Sequence, residues 1–214
     1  TSFPGLESRS RFSPDGKTIA FTGQIDGASE LYTIPAEGGE PKRLTFDAGG
    51  DNVVAWTPDG KIAYYNGAMS TFTPKLFMVS PEGGQPTPTK LGENTDGSFS
   101  PDGSTIAFTR AASHNFNWRR YRGGTQGRIG FFNFATSKYD EIPSGREQNY
   151  HPMWVGDHVY FISDKNDGGL NLYRYSRSGK RTEQLTKFQN SDIRWPSTDG
   201  KTIIWERSGK VELY

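Results

Sequence analysis

Between residues 111 and 127 the chain reads AASHNFNWRRYRGGTQG, the stretch whose residue types best suit recognition chemistry. His114, Trp118, Arg119, Arg120, Tyr121 and Arg122 set three guanidinium groups beside two large aromatic rings. A guanidinium matches a carboxylate with two parallel hydrogen bonds, and an aromatic face accepts its flat cation. The composition fits contact with a carboxylate-bearing ligand or with a protein partner. A second reading stays open, in which Trp118 and Tyr121 pack the loop down and the arginines solvate it. Loops this long inside compact domains are usually functional or disordered.

Catalytic and metal chemistry find little to work with. There is no G-x-S-x-G elbow, and the three histidines stand in separate contexts: His114 in the long stretch, His151 on a strand, His158 beside a turn. No catalytic residue is assigned. Residues 164–169, DKNDGG, have the look of a calcium loop, but Tyr175 stands where the bidentate glutamate belongs, so a turn is expected there. No metal ligands and no cofactor are assigned.

What must position the long stretch is a repeat. In residues 11–21, RFSPDGKTIAF, Pro14 presets a negative φ, Asp15 bonds its own downstream backbone, and Gly16 accepts a positive φ. Two strands must meet at such a turn. Corresponding aspartates recur as Asp15, Asp59, Asp102, Asp157 and Asp199, at spacings of 44, 43, 55 and 42 residues. Each period carries up to four strand-like segments, the signature of propeller blades rather than helical solenoids.

The chain is therefore expected to be all-β, a β-propeller of four-stranded antiparallel blades in one domain. Four complete blades, at about 8–46, 51–92, 95–143 and 149–188, precede an incomplete fifth at 191–214. Its inner strand is expected at 192–195, and Leu213 with Tyr214 should fall where Leu31 with Tyr32 fall. Residues 1–7 should continue from a missing preceding blade. The swelling at 111–127 lies between the second and third strands of the third blade and accounts for the 55-residue spacing. Connections of that kind share one face of a propeller with the blade-to-blade connections.

Composition narrows the function classes. Lys and Arg number 25 against 24 Asp and Glu, so no net field favours nucleic acid or an anionic membrane. Gly 26, Pro 13 and 14% aromatic residues describe short strands punctuated by turns. With no cysteine, disulfides and thiol nucleophiles are excluded. No apolar run approaches the roughly 18 residues a membrane helix needs. The expected location is the cytoplasm, the periplasm staying open if a leader preceded Thr1.

Several stretches together resemble a known family: FPGLESRSRFSPDGKTIAFTG, PAEGGEPKRLT, WRRYRGGTQG and NLYRYSRSGKRTEQLTKF are similar to the amino-terminal six-bladed propeller of tricorn-like serine proteases. The SPDG and EGG turns are common to TolB-like propellers, whereas the segment at 118–125 is more specific. The resemblance implies a large homo-oligomeric peptidase whose propeller guides or gates peptides toward a catalytic core elsewhere in the parent chain. In archaeal members an arginine pair holds the substrate's carboxyl terminus, and the matching connection here, residues 46–52, holds no arginine. The alternative is a stand-alone TolB-like propeller that docks protein partners.

Overall fold

The computed structural model describes residues 3–25, 27–47, 49–67, 74–92, 96–110, 121–166 and 169–214. The chain divides into two compact units, Thr1–Asn94 and Thr95–Tyr214. In the first unit β1 (Glu7–Phe12), β2 (Thr18–Gly23), β3 (Glu30–Pro35) and β4 (Lys42–Arg43) form one antiparallel sheet. A second sheet is made of β5 (Asn52–Trp56), β6 (Ile62–Asn66), β7 (Lys75–Val79) and β8 (Thr87–Pro88). The second unit holds three sheets. They are β9 (Gly97–Phe99), β10 (Thr105–Arg110), β11 (Arg128–Asn133) and β12 (Tyr139–Glu141); β13 (Asn149–Val155), β14 (His158–Ser163), β15 (Asn171–Ser176) and β16 (Arg181–Gln184); and β17 (Arg194–Thr198), β18 (Ile203–Arg207) and β19 (Lys210–Leu213). Strands follow chain order across every sheet, which is the build of a propeller blade.

The turns form for the reasons their sequences give. Ser13 N donates to Thr18 O at 2.7 Å and Gly16 N to Ser13 O at 2.9 Å, with Gly16 at φ 72°. Asp15 Oδ1 accepts from Ser13 Oγ at 2.6 Å and from Lys17 N at 3.1 Å. Those donors, the serine hydroxyl foremost, hold the Asp15 carboxyl below its usual range. Asp59 and Asp102 repeat the arrangement with Thr57 and Ser100. Asp157 departs from it: Val155 pairs directly with His158, so Gly156 and Asp157 form a two-residue hairpin turn.

Blades pack face to face, so the middle strands are apolar on both sides. Ala20, Leu31, Val53, Ile62, Tyr64 and Phe77 form a core shared by the first two blades. Trp56 Nε1 donates to Arg11 O at 2.9 Å, and Lys42 Nζ to Glu82 O at 2.8 Å. In the second unit, Ile129 and Phe131 pack against Trp154, Val159 and Phe161, with the Phe131 and Trp154 rings edge to face at 5.9 Å. Each such fully buried side chain contributes about 1.5–3 kcal/mol.

The first strand of four blades carries a one-residue bulge at the same place. Between Ser8 and Arg11, between Val53 and Ala55, between Tyr150 and Met153, and between Arg194 and Ser197, the inner strand carries one residue more than the stretch of neighbouring strand it faces. Arg9, His151 and Trp195 open three of these bulges with φ of 55°, 52° and 49°. A left-handed backbone at a residue with a Cβ costs about 1–3 kcal/mol, so the packing around each inner strand over-determines it.

The fifth blade corrects two expectations. Its inner strand is Arg194–Thr198 rather than 192–195, because Asp192 and Ile193 bond Leu170 of the preceding blade instead of joining the ladder to β18; Pro196, which lacks an N–H, sits in the bulge. Its third strand is registered differently as well. Glu206 pairs with Val211 and Trp205 with Glu212, as Thr22 pairs with Leu31 and Phe21 with Tyr32. Val211 and Glu212 therefore take the place expected for Leu213 and Tyr214. The cause is a tight turn at Ser208 (φ 52°) and Gly209 (φ 74°), which shortens the connection before β19.

Candidate functional site

The long stretch leaves β10 at Arg110 and re-enters β11 at Arg128. His114, Trp118, Arg119 and Arg120 lie outside the described residues. Tyr121 and Arg122 lie within them, and together with residues 123–127 they form the arm by which the stretch returns to the blade.

That arm is fastened by polar groups of the next blade. Arg122 Nη1 donates to Asp164 Oδ2 at 2.9 Å and to Tyr121 O at 3.2 Å. Asp164 follows the end of β14, and its other oxygen accepts from Gln148 N at 2.7 Å. Gln148, just before β13, donates from Nε2 to Tyr121 O and accepts on Oε1 from Gly127 N and Tyr150 Oη, both at 2.7 Å. Gln126 Nε2 donates to Gly145 O and Glu147 O. Gln126, Gln148, Tyr150 and Asp164 are all buried, so every bond among them is sheltered from water.

Burial, reinforced by the negative charge of Asp164, pushes the Tyr150 phenol up to about 12, with Arg122 opposing the shift. The phenol therefore stays protonated and keeps donating to Gln148. Gly123 of the RGGT motif and Gly127 beyond it act by absence of bulk. A Cβ on Gly123 would lie 2.1 Å from Tyr121 Oη, and one on Gly127 would lie 2.5 Å from the Tyr150 ring and 2.9 Å from Asn149 O.

A second polar contact in the same unit joins inner strands. His151 Nδ1 lies 2.7 Å from Asp96 Oδ2, with His151 in its left-handed bulge conformation. The sequence placed His151 on a strand and gave no reason to join it to Asp96. It likewise missed Gln148 and Tyr150, and read Asp164 only as the start of a turn. The available signal was weak: a glutamine, a tyrosine and an aspartate, each flanking a strand at a connection.

In the first unit, the connection at residues 46–52 gathers acids instead of arginines. Asn66 Nδ2 donates to Asp47 Oδ1 and to Asp51 Oδ1, at 2.5 and 2.6 Å. Asp51 is fully buried and burial pushes its carboxyl up to about 6. Nearby, Arg43 Nη2 lies 2.5 Å from Glu30 Oε1, and the Arg43 guanidinium sits 4.7 Å from the Phe46 ring centroid. A carboxyl terminus would meet repulsion from Asp47 and Asp51 here, so the role implied for an arginine pair has no counterpart in this connection.

Comparison with known proteins gives a consistent picture. The family described as tricorn protease N-terminal beta propeller domain matches residues 1–214. Tricorn protease homolog 1 of Streptomyces coelicolor is 30% identical over 209 residues, covering 94% of this chain and 19% of the relative. The tricorn protease of Thermoplasma acidophilum is 29% identical, covering 98% of this chain and 20% of the relative. The chain thus spans about a fifth of the length of the curated relatives it matches. The crystal structure of the tricorn protease superposes with a TM-score of 0.87 at 29% identity, covering 100% of this chain and 22% of that one. TolB proteins match at lower identity, which shows the shared fold alone.

Proposed function

The chain belongs to the family of tricorn protease N-terminal β-propeller domains, and on that premise we propose that it is the non-catalytic propeller of a tricorn-like peptidase. It guides or gates peptides toward a catalytic core carried by other parts of its parent, which by the same reasoning is a homo-oligomer. The observation that carries this reading is the full-length family match combined with coverage of only about a fifth of the peptidases it resembles. The candidate contact residues are His114, Trp118, Arg119, Arg120 and Tyr121, with the Arg119 and Arg120 guanidinium groups taking peptide carboxylates. Docking of a protein partner on the same face remains the alternative, and the TolB likeness adds nothing to it beyond fold.

The test uses the 214-residue chain and a fluorescein-labelled hexapeptide with a free carboxyl end. The expected result is binding without hydrolysis, and replacing Arg119 and Arg120 together by alanine weakens binding about tenfold, the worth of one lost charge-assisted contact, while the thermal midpoint stays put. Turnover that disappears when a serine of this chain is changed would sink the non-catalytic reading. Unchanged binding with a large loss of stability would mean that the two arginines pack the loop instead.

A further inference from the structure

We infer that Arg122 and Asp164 form a latch that docks the return arm of the 111–127 stretch onto the fourth blade, making Arg122 a positioning residue rather than a contact residue. This rests on the reading of that stretch as the peptide-contacting element.

The fastenings of the arm come from a blade other than its own. By chain connectivity the arm belongs to the third blade, since it runs directly into β11. Yet Tyr121 and Arg122 are bonded by Asp164 and Gln148, which flank β14 and β13 of the fourth blade. The latch is also rigid on its acceptor side. Asp164 cannot swing, because Gln148 N holds its second oxygen at 2.7 Å, and Gln148 is itself fixed by Gly127 N and Tyr150 Oη.

The Arg122 guanidinium is already engaged. One nitrogen serves two acceptors, and the Arg122 and Asp164 side chains are only 23% and 8% exposed. A group so committed is poorly placed to release its carboxylate for a passing peptide, because that would leave Asp164 as a buried charge without its partner. Its effect on binding is indirect. Holding Tyr121 and Arg122 in place removes their own conformational freedom before a ligand is engaged.

The experiment compares Arg122→Met, Arg122→Lys and Asp164→Asn in the 214-residue chain. Asparagine at 164 still accepts from Gln148 N, and lysine keeps the charge without the planar fork, so at least one variant should fold. Two readouts are taken: the rate of tryptic cleavage after Arg119 and Arg120, and affinity for the labelled hexapeptide, with the thermal midpoint followed alongside. The latch predicts cleavage about tenfold faster in Arg122→Met and Asp164→Asn, as expected for loss of one charge-assisted hydrogen bond. A double variant combining Arg122→Met with Asp164→Asn should be cleaved no faster than either single one, because the two side chains act as a unit.

Unchanged cleavage in all three variants overturns the latch. So does additive acceleration in the double variant. Loss of peptide affinity in Arg122→Met at an unaltered cleavage rate also overturns it, because Arg122 then touches the peptide. If replacing Arg119 and Arg120 by alanine leaves peptide affinity unchanged, it is the proposed function that fails, while faster cleavage would still support the latch.

Discussion

Ser29 and Gly127 stand at the same place in their blades, two residues before the buried Leu31 and Ile129. Each accepts through its carbonyl from a residue at the start of the following inner strand: Asp51 N, just before β5, at 2.8 Å and Asn149 N, the first residue of β13, at 3.1 Å. There the likeness ends. In the first unit the residue before that donor is Gly50, at φ 72°, and the bulk lies on Ser29 and on the buried acid Asp51. In the second unit position 127 is glycine, and the bulk has moved to Gln148, whose side chain reaches back across the joint. Moving one side chain's worth of volume converts a closed joint into one that also grips Tyr121. A blade repeat can therefore hold a large insertion at the cost of a few residues at its foot.

The two joints differ most at Gln148. Replacing it by leucine leaves the buried Gly127 N–H and Tyr150 hydroxyl without their acceptor, and should cost about 3 kcal/mol in denaturant unfolding. A cost below about 1 kcal/mol would mean that water readily replaces the amide. Next, Gly127→Ser, which imports the first unit's residue, should cost about 2 kcal/mol through collision with the Tyr150 ring, whereas Ser29→Gly should cost less than half of that. Equal effects at the two positions would show that the junctions are packed alike.

The smallest effect is expected at Asp51. A carboxyl raised to about 6 on folding binds more protons in the folded than in the unfolded state between about pH 4 and pH 6, so stability falls as pH rises through that window. Asp51→Asn should remove this slope and raise stability at pH 7 by about 1 kcal/mol, since an amide still accepts from Asn66 without burying a charge. Urea midpoints measured from pH 4 to pH 7 decide it. A slope that survives the substitution would assign the titration to another group.

Much of this molecule was legible in its sequence, and the limit has a physical basis. The turns announced themselves because SPDG does its work within four residues: Ser13, Asp15 and Gly16 need only one another. The blade strands followed from the spacing between turns. Local signals failed where a residue's partner lies far along the chain. Asp164 meets Arg122 across 42 positions, and neither residue's neighbours announce the other. The register of the fifth blade failed for a related reason. An apolar pair such as Leu213 and Tyr214 looks the same whether it is preceded by a long loop or by the two-residue turn at Ser208 and Gly209. Composition identified the 111–127 stretch as exceptional but left open which of its arginines reach outward and which face home.

The bulged inner strands have a last consequence. Both β13 and β17 end their sheets, and such strands ordinarily offer a row of free backbone groups on which another extended segment can crystallise. In each, the bulge interrupts that row, and Pro152 or Pro196 at its second position removes a donor. An extended segment that meets either edge finds no continuous row of donors and acceptors to pair with.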